Sequence, residues 1–492
     1  MSDDKRACVI GAGFGGLALA IRLQTAGVAT TLIEARDGPG GRVAHTQRDS
    51  FVFDSGPMAI VRPDLFRELW EIGRREMDGD VELLPVEPIC RFNWPDGTHF
   101  DFSADGTALR REIARFDPAD IAGFDALSAH GDAIGHECGA FFADRVPGLL
   151  YALREAPALA RHRAWLPLHD TVSRFIRHPG LRAALTVHAL LVGGNPLTTR
   201  LIAPPLLEAA SGWWPRGGIN RLAAAMARQF ERLGGEIRLH DPVTSIQTIG
   251  TRASEVVALS GWRGHFDVIA SNADIVHTYR DLLRGSPRGP QMARRLARKR
   301  FSPALFVVHF GIDGSWPGIP HHMVLFGPRY ESLLGDIFDR GVLPADLLIF
   351  LNHPSVTDSS LAPEGRSVFQ AVVPVAHLGK LAVDWEQIGP MLEQRVLNEI
   401  ERRLIPDLAD RTISRSHDGP RDFALDFNAH FGSAFSVEPV PTQSGWLAPR
   451  DRDDVIGNLY FVGAAVQPGG GLAGIVEGAK VTAARMLEEL AR

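Results

Sequence analysis

Four positions near the N-terminus have the residue types and spacing to hold a phosphate-bearing ligand. Gly11, Gly13 and Gly16 form G-x-G-x-x-G within GAGFGG, and Glu34 follows at the end of VATTLIEA. A glycine at 11 permits a tight turn, one at 13 lets main chain approach a pyrophosphate, and one at 16 lets a helix pack closely on its sheet. The helix N-terminus beyond them favours negative charge through its free N–H groups and its dipole. Glu34 is placed to accept hydrogen bonds from a ribose diol, and its charge would repel a 2′-phosphate. A second cluster, GAAVQPGGGLAG from Gly463 to Gly474, repeats the device far along the chain. Glycine suits such a loop because a side chain there would collide with a ligand lying against the main chain.

The elements needed to position these groups are legible around them. Residues 7–10 are a short apolar strand, LALAIRLQTAG continues with helical spacing to a stop at Gly27, and VATTLIEA is a second strand. Strand, helix, strand and terminal acid together make a dinucleotide site specific, and both NAD and FAD suit it. At the other end LYFVGAA is a strand, and a helix beginning near Leu472 carries Ile475, Val476, Ala479, Met486 and Leu487 on one face. Between the two ends, GGINRLAAAMARQFERLGGEIRLHDPVTSI reads as helix, glycine stop and strand, and FDVIASNADI as a strand ending in a small-residue turn. The dinucleotide-binding part is therefore discontinuous in sequence.

A chain of 492 residues exceeds what one hydrophobic core serves, so two or more substructures are expected. Its 45% hydrophobic and 22% charged residues are those of an ordinary folded protein. A formal net charge of −6 argues against nucleic-acid binding. Three widely spaced cysteines, Cys8, Cys90 and Cys138, fit neither a disulfide framework nor a zinc site, and Cys8 falls inside a strand as a small buried side chain. No metal site is expected. The N-terminus lacks the basic, long apolar and cleavage regions of a secretory signal, and no run of about 18 apolar residues predicts a spanning helix. A cytoplasmic location is the expectation from these features.

DGPGGRVAHTQRDSFVFDSGP follows the first unit at once, where a simple nicotinamide dehydrogenase would continue with further regular strand–helix pairs. It resembles the GGR and D-x-G-P segments of flavoproteins of the amine-oxidase type. That resemblance implies that the loop through Gly41 and Arg42 folds over an FAD, with Asp54, Gly56 and Pro57 at a strand-to-turn transition beside it. It also implies that the terminal segment closes over the flavin, with Gly463 near the pyrophosphate and ribityl chain and Gly470, Gly471 and Leu472 near the isoalloxazine ring. Val243 resembles the family position whose main chain contacts the adenine side. LLVGGNPLTT (190–199), GWWPRGGINRL (212–222), the segment 300–330 and DFNAHFGSAFSVEPVPTQSGW (426–446) extend the likeness to nearly the whole chain, and together they resemble the bacterial phytoene desaturase family.

The family resemblance implies an α/β fold, with a doubly wound Rossmann-type FAD-binding domain (1–105, 210–290 and 452–492), a helical lid (106–209) and a β-rich substrate domain (291–451). It implies FAD-dependent removal of hydrogen from a long apolar isoprenoid, with a quinone or oxygen as electron acceptor. A later-carotenoid desaturase or oxidase, a flavin-dependent isomerase and a prenyl-chain carrier are the rival readings. QPGGGLAG departs from the family's usual H-P-G-x-G-x-P-G, with Gln467 for His and Ala473 for Pro; Gln467 is read as a polar neighbour of the flavin. Hydride loss beside a polyene leaves an allylic cation, so no triad, metal or carboxylate pair is required. The catalytic residue stays unassigned among Asp, Glu, His and water, and His188, His321 and His322 are read as structural. The segment 145–182 carries seven arginines against two acids, with Leu149, Leu150, Tyr151, Trp165, Leu166 and Phe175 as apolar anchors, and is expected to dock peripherally on the inner face of the cell membrane. ARRLARKR (293–300) is read as a solvated helix.

Overall fold

Strands from four separate stretches of the chain meet in one parallel sheet. The computed structural model describes residues 5–43, 45–54, 60–143, 156–200, 211–444, 447–466 and 469–491. The sheet runs in the order Leu459–Phe461, Val268–Ser271, Arg6–Ile10, Ala29–Ile33 and Glu236–Arg238. Arg6–Ile10 is central, and its alternating side chains reach two different cores. Ala7 and Val9 meet the helices Phe14–Thr25, Ile219–Arg232 and Leu472–Leu490, whereas Cys8 and Ile10 point the other way. The first helix lies between the other two, which is why it is buried continuously from Phe14 to Leu23.

The second face differs from the doubly wound expectation. An antiparallel three-stranded sheet (Val243–Ile249, Arg252–Ala258, Arg263–His265) covers it, joined by the helical stretch 275–296. Crossover helices therefore cover one face, and a β-meander forms much of the other. The core is nonetheless an α/β dinucleotide-binding arrangement.

A larger mixed sheet stands beside this layer, in the order Thr412–Asp418, Ala304–Asp313, Arg366–Val375, Ile349–Asn352, His322–Leu325, Cys90–Asn93 and His99–Phe102. The stretch 1–105, expected to belong wholly to the FAD-binding part, thus contributes its last two strands here. Both faces of the sheet are covered, so Arg366–Val375 is buried at every position after its first. Phe306, Phe310 and Phe369 pack under the Trp385–Arg403 helix, while Val307, Val324, Phe350 and Val372 meet the helical stretch Leu168–Val192. The hairpin His45–Arg48 and Phe51–Asp54 links the two layers. Phe51 lies flat on Gly311, where a Cβ would come within 2.6 Å of its ring.

Among the described residues no helix is long and apolar enough to cross a membrane, and no group of His, Cys, Asp or Glu is arranged to hold a metal ion. Cys8 and Cys90 are buried free thiols, and burial pushes both upward from the ordinary thiol pKa.

Candidate functional site

The carboxyl ends of adjacent parallel strands are where ligands settle in such sheets, because loops diverge there and helix N-termini converge. Three strand ends meet at this point. Gly11 N–H donates to Ile33 O (2.7 Å), Asn272 N–H to Ile10 O (2.8 Å), and Val462 N–H to Ser271 O (3.0 Å), so Gly11, Asn272 and Gly463 lie side by side. The two remote glycine clusters share one mouth.

Its dimensions explain the glycines. A Cβ on Gly16 would stand 2.0 Å from Gly11 O, which shows how tightly the turn folds onto the first helix. On Gly13, Gly15 and Gly463 it would meet the Asn272 amide at 2.7, 2.8 and 2.6 Å. Gly13 caps the Phe14–Thr25 helix without any side-chain bond, and Gly471 does the same for Leu472–Leu490. Two uncapped helix N-termini and a glycine-lined floor suit a pyrophosphate.

Glu34 is buried, and its carboxylate accepts from Ala12 N–H at 2.6 Å and Arg36 N–H at 2.9 Å. It thereby fixes the turn as well as offering oxygen to a diol. Asp241 N–H donates to Glu34 O at 3.0 Å, which brings Val243, two residues later, to the same end of the site.

The Gly38–Val43 loop folds back over the mouth. Gly40 N–H donates to Ala12 O at 2.9 Å, and a Cβ on Gly41 would lie 3.1 Å from Gly13 Cα. Asn220 holds the loop, its amide donating to Pro39 O (3.3 Å) and Val43 O (3.1 Å). Asp54 holds Asn220, accepting from its N–H at 3.2 Å. Asp54 thus serves the N-terminus of the Ile219–Arg232 helix and reaches the mouth through Asn220. Arg42 donates to Ala434 O, and burial pushes its guanidinium down while the Asp274 carboxylate opposes the shift. Asp274 caps its own helix with one oxygen, and its Oδ2 is buried without a hydrogen-bond partner.

The C-terminal glycine loop closes one side. Cβ atoms on Gly470 and Gly471 would lie 3.3 and 3.5 Å from Val192, so the LLVGGN turn seats against the loop. Leu472 opens the last helix beside it. Gly56, Pro57 and Gln467 lie outside the described residues. Asn272 and Asn220 were missed as individual site residues, although both sit inside the motifs SNAD and RGGIN.

A crowded glycine cradle, two free helix N-termini and a buried acid at the end of the second strand suit a dinucleotide, and the protein binds FAD across this fold. The chain belongs to the flavin-containing amine oxidoreductase family, whose description matches residues 14–487. It is 45% identical to a lycopene-forming phytoene desaturase of Paracoccus sp., over 99% of this chain and 98% of that one. A lycopene-forming phytoene desaturase of Pantoea ananas is 42% identical over 99% of this chain and all of its own. Cyclohexylamine oxidase from Brevibacterium oxydans shares the fold, with a TM-score of 0.64 and 18% identity over 99% of this chain and 100% of that one.

Proposed function

We infer that this enzyme performs FAD-dependent desaturation of a long isoprenoid polyene, with phytoene as substrate and lycopene as product. The likeness to lycopene-forming desaturases over 99% of the chain carries this reading, because it includes the large sheet as well as the cofactor mouth. Bound FAD would accept a hydride from a saturated carbon beside the conjugated system. Gly11, Gly13, Glu34, Gly41, Arg42, Val243, Gly463 and the 470–472 loop would hold it.

The protein's own share is orientation and dryness. Phe92, Val307, Val324, Phe350 and Val372 form an apolar row under the helical stretch, the surface a hydrocarbon requires. We assign the stretch 106–209 as the lid over this row and the part that meets the bilayer. Trp165 stands 51% exposed, with exposed Arg161 and Arg163 beside it, a pairing suited to an anionic interface. Arg145, Leu149, Leu150 and Tyr151 lie outside the described residues.

Expression in cells that accumulate phytoene tests the reading: coloured carotene of lower mass is expected, two hydrogens lighter per double bond. Unchanged phytoene beside folded, flavin-loaded protein refutes it, and a product of unchanged mass identifies an isomerase. Trp165→Ser should weaken flotation with anionic liposomes about tenfold, in line with the loss of one aromatic anchor; unchanged flotation removes this segment from the docking surface.

A further inference from the structure

The sheet face beneath the helical stretch carries one polar row among apolar ones. Val324, Phe350, Val372 and Val307 are mutual neighbours across four strands. Two residues along each strand, the next row reads His322, Asn352, Gln370 and His309, all buried. Buried polar groups are costly unless bonded, so a row of them beside hydrocarbon-lined surface calls for a reason.

Three of them form a line of defined direction. His322 Nδ1 is 3.1 Å from Asn352 Oδ1, Asn352 Nδ2 donates to Gln370 Oε1 at 2.7 Å, and Gln370 Nε2 donates to the main-chain oxygen of Asp54 at 3.1 Å. A peptide carbonyl only accepts. Gln370 must therefore turn its NH2 to Asp54 and its oxygen to Asn352. Asn352 must give its NH2 to Gln370 and present its oxygen to His322. His322 then donates from Nδ1, and the lone pair is left on Nε2. One main-chain oxygen thus sets the tautomer of a histidine three side chains away.

That Nε2 is buried and has no hydrogen-bond partner. Burial lowers the His322 pKa to about 4, so the ring is neutral and its lone pair available at neutral pH. His188 and His353 are held to about 4 by the same cause, and His321 well below its ordinary value. His188 adjoins His322 and stands edge-on to Phe92 and Phe350. In the same short helix, Val192 packs on Gly470 of the cofactor mouth. Polar row, helical stretch and glycine loop are contiguous.

Resting on the desaturase reading, we propose that His322 Nε2 is the proton acceptor of the reaction, aimed by the Asn352–Gln370–Asp54 line. Bound FAD would supply the oxidant, and one substrate carbon would give it hydride with its electron pair and become an allylic cation. The neighbouring C–H bond breaks, its electrons become the new π bond, and its proton forms an N–H bond on Nε2. A weak base suffices, because a C–H bond beside a carbocation is far more acidic than imidazolium; hydride loss is reversible until that proton leaves, so in a pocket that excludes water net flavin reduction waits on the base. An aimed base also commits the cation to the alkene instead of to capture by water.

The test uses flavin-loaded enzyme mixed anaerobically with phytoene in liposomes, following loss of flavin absorbance and product. His322→Ala and His322→Phe should slow both by about 10²–10⁴-fold, with FAD retention and visible spectrum unchanged. Added imidazole should restore part of the rate to His322→Ala, which a purely structural role would not predict for the uncharged base alone. Asn352→Leu, which releases the tautomer lock, should cost about tenfold. Flavin reduction at the wild-type rate in either loaded His322 variant overturns the assignment, as does a loss confined to His321→Phe. A wild-type enzyme that leaves phytoene unchanged overturns the desaturase reading, and this assignment falls with it.

Discussion

Replacing Gly463 by alanine puts the shared mouth to its most direct test. Gly463 has φ +102°, in the left-handed region that L side chains rarely adopt, and its added Cβ would stand 2.6 Å from Asn272 Oδ1. Strain of that kind costs about 1–3 kcal/mol. Overpacking adds about 1–3 kcal/mol. Even the lower bounds together weaken FAD binding by about 30-fold, since each 1.4 kcal/mol is roughly tenfold. The two terms are separable, because Asn272→Ala removes the colliding oxygen and leaves the φ strain in place. Titrating FAD into apoprotein, with flavin fluorescence as readout, should show a large loss for Gly463→Ala. The double variant should recover about the overpacking share and no more. Wild-type affinity in Gly463→Ala would refute the claim that this main chain forms a wall of the cofactor site, and a double variant no better than the single would refute the steric account.

Two further outcomes follow from the same structure. Glu34→Gln exchanges an acceptor of two main-chain N–H bonds for an amide and removes its charge; a charge-assisted bond is worth about 1.5–3 kcal/mol, so FAD affinity should fall about tenfold or more and the melting temperature with it. His417 is held above the ordinary imidazole pKa by its bond to Glu393, 2.5 Å away, against the opposing effect of burial. A raised folded pKa gives stability that is complete below about pH 6.5, the unfolded value, and is lost as pH rises through the folded one. The melting-temperature gap between wild type and His417→Gln should therefore be widest in acid and narrow in alkali, and a gap independent of pH would contradict the pairing.

How much was legible follows from which constraints leave a mark in one residue. Where main chain crowds main chain, the mark is glycine itself, so Gly11, Gly13 and Gly16 could be placed from spacing, and Gly463 from the family resemblance of its loop. Where a polar side chain bridges distant segments, its residue type says nothing of its partner. Asn272 reaches the far glycine loop, and Asn220 ties a loop almost 180 residues earlier; neither pairing is written in local pattern. The same limit explains the misplaced strands at 90–102, whose apolar alternation fits any half-buried sheet and whose partner strand, His322–Leu325, comes more than 200 residues later. Of the β-meander on the second face only the stretch ending DPVTSI was read as strand, and nothing local marked it as the cover that replaces crossover helices. The base proposed at His322 could not be read locally, because the line that orients it runs through three other strands.

Asp54 shows how one residue serves both halves of the molecule. Its carboxylate accepts from Asn220 N–H and so governs the loop that carries Gly41 and Arg42, while its main-chain oxygen anchors the line to His322. The two duties use different atoms, so a substitution can separate them. Asp54→Asn weakens the charge-assisted bond and keeps the peptide oxygen. A loss of about 1.5 kcal/mol corresponds to roughly tenfold weaker FAD retention. Flavin reduction in enzyme saturated with FAD should fall by much less, since the tautomer lock depends on the peptide group. FAD affinity follows from titration of apoprotein, and the reduction rate from anaerobic mixing. Should the rate collapse while FAD stays tightly bound, the carboxylate and not the main chain would be orienting the polar row, and the fixed direction argued for His322 would have no anchor.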